Sequence, residues 1–210
     1  MIRVLIADDH AIVREGIRRI LADTDDLRVL GEAADAQQLL MQATCGSWDA
    51  IVMDLAMPGM SSLEVLETIR RQQPHLPVLI LTMYPEDQYA VRTLQAGASG
   101  YIHKGSPPDD LIKAIRTVAA GRRYVTPSVA EFLAVYVDAR ATKPPHSELS
   151  NREYQVLCLI ASGRSVGDIA RELSLSVKTV STFRRRVLAK LGLRHNAELT
   201  RYAMKHRLVE

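Results

Sequence analysis

Apolar positions along the first 121 residues follow two alternating periods. Short aliphatic runs, RVLIA (3–7), RVLGEA (28–33), AIVMD (50–54), PVLILT (77–82) and SGYIHK (99–104), read as buried strands. Between the first two, Ile12, Val13, Ile17, Ile20 and Leu21 recur at helical spacing. After the last, Pro107-Pro108 lead into Leu111, Ile112, Ile115, Val118 and Ala119, one face of a helix that Gly121 stops. Strand followed by helix, five times over, predicts a doubly wound α/β domain with a parallel five-stranded sheet and right-handed crossovers.

The pattern changes at 121–149. Val129, Phe132, Leu133, Val135, Tyr136 and Val137 predict a short helix capped by Thr126 or Ser128, and ARATKPPHS then reads as an extended, polar linker. The apolar face of that helix needs cover, from this chain in preference to a second subunit. From Ser150 onward every segment is helical. Ser150-x-x-Glu153 is a capping box before YQVLCLIASG, with Gly163 as a stop. Ser165-x-x-Asp168 opens a second helix, SLS (174–176) is a tight turn, and VKTVSTFRRRVLAKLG forms a third helix ended by Gly192. Helix, tight turn and helix is the arrangement that lays its second helix in the major groove of DNA. The expected division is therefore 1–121, a helix and linker at 122–146, and an all-α four-helix domain at 147–210.

Charge sharpens that division. Residues 1–121 carry 11 Lys+Arg against 16 Asp+Glu, a net −5, whereas residues 148–210 carry 12 against 6, a net +6. An acidic half joined to a basic half implies two domains with different partners. The 47% hydrophobic and 24% charged shares belong to an ordinary globular protein. No apolar run approaches the roughly 20 residues of a membrane span, and MIRVLIADDH turns acidic too soon for a secretory signal. Cys45 and Cys158 have no pairing spacing, Cys158 reading as core, so the expected location is the cytoplasm.

The sheet architecture directs attention to the carboxyl ends of its strands, where ligands of open parallel sheets bind. Those ends carry Asp8 and Asp9, Asp54, Thr82 and Lys104, with Pro58 and Gly59 reading as a loop after Asp54. Crowded carboxylates raise one another's pKa unless a cation intervenes. Oxygen donors favour a hard ion, and Mg²⁺ commonly takes one or two carboxylates, waters and a phosphate. A lysine and a threonine beside it suit phosphoryl oxygens. Any one of these residues has a plainer reading, Asp9 as a helix cap or Lys104 as a solvated cation, but together they describe one site.

IADDH, MDLAMPGM, LT and GYIHKG resemble the receiver domain of bacterial two-component response regulators over residues 1–121, which implies a flavodoxin-like (βα)5 fold. The resemblance implies that Asp54 accepts a phosphoryl group from the phosphohistidine of a sensor histidine kinase. It implies Mg²⁺ held by Asp8, Asp9, Asp54 and the Ala56 backbone carbonyl, Lys104 on the phosphoryl oxygens, and Thr82 swinging onto the phosphate. Tyr101 would be the switch residue that follows Thr82 inward. Ser62 stands where the family commonly has glycine, His103 where it has an apolar residue, and Gly105 where it has an acid. None of these is one of the five chemical positions; Gly105 bears on the loop into the last helix and on partner docking.

On the third C-terminal helix, Val180, Phe183, Val187, Leu188 and Leu191 share a core face. Ser181, Thr182 and Arg185 are the expected base readers, and Lys178, Thr179, Arg184 and Arg186 the expected phosphate contacts. The segment resembles the LuxR-type helix-turn-helix of NarL/FixJ response regulators over residues 147–208. It departs at Val166-Gly167-Asp168, which removes a basic phosphate contact, and at Phe183, which keeps a ring without its polar edge. HNAELTRYAMKHRL resembles the helix through which such domains pair on DNA. The implied partners are promoter DNA, a second copy of the chain through that helix or receiver helices (Ile12, Ile17 and the Leu111–Val118 face), and RNA polymerase. The expected function is phosphorylation-controlled transcription rather than enzymatic turnover. The rivals are a Mg²⁺-dependent phosphatase with an aspartyl-phosphate intermediate, and an adaptor whose basic helices contact protein.

Overall fold

A computed structural model describes the chain apart from residues 58–59, 85, 139–143, 174, 207 and 210 and the side chains of 86–88, 132, 135–138 and 151. The chain forms two compact units, Met1–Val135 and Tyr136–Glu210. The loop expected at Pro58 and Gly59, much of the expected linker, and four of the six apolar side chains expected on the joining helix lie outside the described residues.

The first unit is built on β1 (Ile2–Ala7), β2 (Leu27–Ala33), β3 (Ala50–Met53), β4 (Val78–Thr82) and β5 (Gly100–His103), all parallel, in the order β2-β1-β3-β4-β5. Helices α1 (Ala11–Ala22), α2 (Ala36–Cys45), α3 (Ser62–Gln72), α4 (Glu86–Gln95) and α5 (Pro108–Ala119) alternate with them. Strands β3 and β4 are buried at every position, because helices cover both faces of a parallel sheet and no alternation survives. Winding reverses between β1 and β3, the two strands whose ends carry Asp8 and Asp54, so the crevice of the fold opens there.

Register then sets the rim. Ala7 pairs with Met53, and the Asp54 amide donates to the Ala7 carbonyl at 2.8 Å. Thr82 pairs with His103, and the Lys104 amide donates to the Thr82 carbonyl at 2.9 Å. Each reactive residue thus sits at, or one step beyond, the last ladder position of its strand.

Two sequence expectations need correction or completion here. Ile12 is 83% exposed, not part of the α1 core stripe. Standing five residues before Ile17 it faces another direction, and Val13, Ile17 and Leu21 form the inward row instead. The outer edge of β5 is also paired: Tyr124 bridges Gly100 in parallel, which leaves that edge less open to a stray strand. Beyond it, α6 (Pro127–Asp138) buries Val129, whose amide donates to Thr126 Oγ1 at 3.3 Å, so Thr126 is the cap. At the opposite edge a bulge passes Leu30 by, and a Cβ at Gly31 would lie 2.4 Å from Trp48 Cη2. Only glycine lets the indole lie across the strand there.

In the second unit a short 3-10 turn (Pro145–Glu148) precedes α7 (Asn151–Ala161), α8 (Val166–Glu172), α9 (Val177–Leu191) and α10 (Asn196–Lys205). Ser150 and Glu153 form the expected capping box, and the Ser165 hydroxyl caps α8 by accepting the Asp168 amide. Gly192 takes φ +67°, and the Leu193 amide returns to the Leu188 carbonyl at 2.8 Å, closing α9. Val156, Leu157, Ile160, Ile169, Val180 and Val187 are buried. No helix among the described residues is long and apolar enough to cross a membrane.

Candidate metal centre and nucleic-acid interface

Asp8 and Asp54 are almost wholly buried at the rim, at 2% and 3% exposure. Lys104 Nζ bridges them, 2.6 Å from Asp8 Oδ2 and 2.7 Å from Asp54 Oδ2. Asp54 Oδ1 is buried and has no hydrogen-bond partner. Burial pushes the Asp54 carboxyl above its ordinary range; Lys104 opposes this, Asp8 adds to it, and the Ala56 amide relieves it weakly. Burial also weighs against the Lys104 ammonium, but hydrogen bonds to Asp54 and Asp8 together outweigh it and hold its pKa above the usual value. The site is thus two inward carboxylates sharing one cation, with one oxygen left over.

Ligand atoms of Asp8, Asp9, His10 and Asp54 lie within 4.8 Å of one another. His10 Nδ1 is 2.8 Å from Asp9 Oδ1 and 3.3 Å from Asp8 Oδ1, and the His10 amide donates to Asp8 Oδ1 at 2.8 Å. Arg14 holds the loop from below, donating to the Asp8 carbonyl at 2.6 Å and to Glu32 at 3.0 Å. Carboxylate oxygens in surplus over nearby cations, one of them orphaned, are a donor set that a hard divalent ion fits. The residue that sequence reading missed is His10. Its signal was its place directly after Asp8-Asp9, where a turn brings its ring back over both acids.

Thr82 is buried at the end of β4, and its Oγ1 accepts from the Tyr84 amide at 3.4 Å. Tyr101 is fully buried, with its hydroxyl donating to the Tyr84 carbonyl at 2.7 Å. The ring expected to turn inward on activation is already inward.

In the second unit, α9 presents Lys178, Ser181, Arg185 and Arg186 to solvent. Val180, Val187 and Leu188 are buried, with Phe183 and Leu191 only partly so, which matches the expected core face. Three polar side chains are engaged within the domain. Thr179 Oγ1 lies 2.8 Å from the Ser176 cap, Thr182 Oγ1 donates to the Lys178 carbonyl at 2.9 Å, and Arg184 Nε donates to Asn196 Oδ1 at 2.5 Å. Lys190 locks α9 to the α7 cap, 2.7 Å from buried Glu153 Oε2.

Residues 4–116 match the response regulator receiver domain, and residues 147–203 match the bacterial regulatory proteins of the luxR family. The chain is 40% identical over 210 residues to response regulator GacA of Pseudomonas protegens, covering 100% of this chain and 99% of that one. It is 37% identical over 209 residues to response regulator UvrY of Escherichia coli K12, covering 99% and 96%. The chain belongs to the LuxR-type response regulators.

Among solved structures, this regulator is similar to RcsB from Salmonella enterica serovar Typhimurium bound to promoter rprA in the presence of phosphomimetic BeF3-. The TM-score is 0.64 at 29% identity, over 96% of this chain and 97% of that one. It is also similar to a LuxR-family two-component response regulator from Aurantimonas, with a TM-score of 0.61 at 37% identity over 65% of this chain and 98% of that one. Membership makes the protein a DNA-binding transcription regulator of a two-component system, not an enzyme.

Two of the regulator's departures from its family have local reasons. Ser62 Oγ, buried at the start of α3, donates to the Leu55 carbonyl at 2.6 Å, tying down the loop after Asp54. His103 Nδ1 accepts the Gly105 amide at 3.0 Å, and its Nε2 lies 3.2 Å from the Met83 carbonyl.

Proposed function

We propose that Asp54 accepts a phosphoryl group from the phosphohistidine of a sensor histidine kinase, and that this modification controls DNA binding by the second unit. The observation that carries the reading is the Asp54 carboxylate: buried, anchored through one oxygen by Lys104 and unpartnered at the other. Its free lone pair forms the new bond to phosphorus as the phosphorus–nitrogen bond of phosphohistidine breaks, and the departing imidazole keeps that electron pair. Lys104 is placed to shift from carboxylate to phosphoryl oxygens, the Thr82 hydroxyl is the second donor, and Tyr101 packs behind it as the switch residue. Asp8, Asp9 and Asp54, with the Ala56 carbonyl, are the ligands for Mg²⁺. The ion supplies positive charge that neutralises the crowded acids and the incoming phosphoryl group.

On DNA, Ser181, Thr182 and Arg185 read bases, while Lys178, Thr179, Arg184 and Arg186 hold phosphates. The Thr182 hydroxyl already donates to the Lys178 carbonyl, which leaves it an acceptor towards a base edge. One short helix touches few bases, so a homodimer on a pseudo-palindromic promoter site is the working form, as in the similar structure of two RcsB dimers bound to two parallel DNAs. The regulator acts in the cytoplasm, with RNA polymerase as a further partner, and its working divisions are 1–121, 122–146 and 147–210.

Acetyl phosphate should label the wild-type chain and leave Asp54→Asn unlabelled, with DNA retention rising only in the former. Equal labelling of both would refute the assignment. Turnover of small phosphate esters would favour a phosphatase instead, and failure to show salt-dependent binding of random duplex would favour a protein-binding adaptor.

A further inference from the structure

The base-reading assignment leaves one side chain of α9 unexplained. Val177 opens the helix and is 56% exposed, although it is apolar, β-branched and a weak helix former. It stands one turn before Ser181 and two turns before Arg185, both exposed. Residues at i, i+4 and i+8 form one ridge along a helix. The ridge therefore carries, in order, an isopropyl group, a hydroxyl and a guanidinium. The threonine hydroxyls beside it are turned back onto the Ser176 cap and the Lys178 carbonyl, so between exposed Ser176 and Lys178 the opening turn offers one apolar group, where the N-terminal part of a recognition helix meets base edges.

Resting on the DNA-reading proposal above, we propose that Val177 is a specificity-determining residue that reads the C5-methyl group of a thymine in the major groove. Thymine alone among the four bases carries a methyl at that edge. Contact withdraws two apolar groups from water, which is favourable without any directional bond. Cytosine, with a C–H in place of the methyl, leaves the isopropyl group without its apolar partner. At about 1.5 Å rise per residue, Val177 and Arg185 are about 12 Å apart along the helix. That spans three to four base-pair steps of about 3.4 Å, so the thymine lies within about four base pairs of the guanine edge read by Arg185.

The test selects duplexes from a random library with the full chain in Mg²⁺ and beryllofluoride. Each thymine of the selected site is then replaced by deoxyuridine, which lacks only the methyl. One thymine per half-site should show about fourfold weaker binding on replacement, the worth of one buried methyl group. Val177→Ala should bind the thymine duplex more weakly by a similar factor and be indifferent to uracil at that position. Val177→Ile should keep the discrimination and Val177→Ser lose it, which decides the matter even where alanine alters the helix start. Uracil sensitivity that is absent everywhere, or that survives unchanged in Val177→Ala and Val177→Ser, overturns the assignment while leaving DNA binding intact. Failure to retain any duplex overturns the DNA-reading proposal and this assignment with it.

Discussion

Replacing Lys104 by methionine keeps an unbranched apolar stem, one atom shorter, and removes the charge. Asp8 and Asp54, each with a 2%-exposed side chain, then face each other without the ammonium that now lies 2.6 and 2.7 Å from them. Removing one partner of a buried ion pair typically costs about 3–5 kcal/mol. Protonation sets a ceiling on that cost. The folded protein can take up a proton on one acid rather than hold two bare charges. For a carboxyl of ordinary pKa near 3.9, this costs about 1.4 kcal/mol per pH unit, or about 4 kcal/mol at pH 7 and about 1.5 kcal/mol at pH 5. The sign follows: the shared acid has a folded-state pKa above its unfolded value, so stability is retained at low pH and lost as pH rises. Trp48, the only tryptophan of the chain, lies in the first unit, so its fluorescence in urea follows that unit alone. The variant should be less stable by up to about 4 kcal/mol at pH 7, with the gap narrowing steeply towards pH 5. Mg²⁺ should narrow it too, since a ligand at 100 times its Kd adds about 2.7 kcal/mol and the uncovered acids bind it better. A gap indifferent to both pH and Mg²⁺ would mean that Lys104 does not hold the acids together, and the electrostatic account of the rim would fall.

Other perturbations test separate links. Asp54→Asn removes an ionised group whose pKa burial has raised, so it should be more stable than wild type by about 1–3 kcal/mol at pH 7, the advantage vanishing towards pH 4; urea melts across that range check it. Glu153→Gln keeps the capping geometry but loses the charge paired with Lys190. Burial opposes the low pKa of Glu153, and Lys190 with the Ser150 amide overcomes it, so the stabilisation exists above the unfolded pKa near 4.3 and disappears as pH falls through the folded one. The variant should lose about 1–2 kcal/mol at pH 7, screening at the half-exposed Lys190 included, with the loss shrinking steadily as pH falls below the unfolded pKa, by circular dichroism of the helical unit. Arg185→Ala should relax preference at one base position by about 1–3 kcal/mol, whereas Lys178→Ala should weaken all sequences alike and reduce the salt slope by about 1; filter binding over a salt series separates the two.

Periodicity and strand ends made the first unit legible because a parallel sheet buries continuous apolar runs and delivers whatever follows them to one rim. Asp8, Asp54 and Lys104 converge for that reason. What stayed hidden depended on distances between side chains that no spacing encodes. Ile12 looked like core because it is apolar and adjacent to Val13, yet one residue of helical rotation separates the inward row from solvent. Tyr124 pairs with β5 through a single bridge, too short to leave an alternating pattern. Residue type likewise does not reveal that a helix cap and a backbone carbonyl engage the hydroxyls of Thr179 and Thr182. His10 was passed over because a histidine after two aspartates has no period at all.

The two departures at 103 and 105 illustrate the same limit and explain each other. His103 Nδ1 accepts the Gly105 amide, so the ring proton must sit on Nε2, which faces the Met83 carbonyl. The imidazole thereby links the loop after β5 to the loop after β4. A Cβ at 105 would stand 3.0 Å from Nδ1, so a side chain there would require the ring to shift by a few tenths of an ångström. Tyr101 makes a second link between the same loops through the Tyr84 carbonyl. Both ties hold the loops after β4 and β5 together in this structure. The unfinished business of the rim is electrostatic: a buried carboxylate oxygen with no donor, beside a lysine already shared between two acids. On the phosphoacceptor reading proposed above, the single carboxylate charge of Asp54 would give way to a phosphoryl group of nearly two negative charges, beside Lys104 and with Thr82 as the proposed second donor.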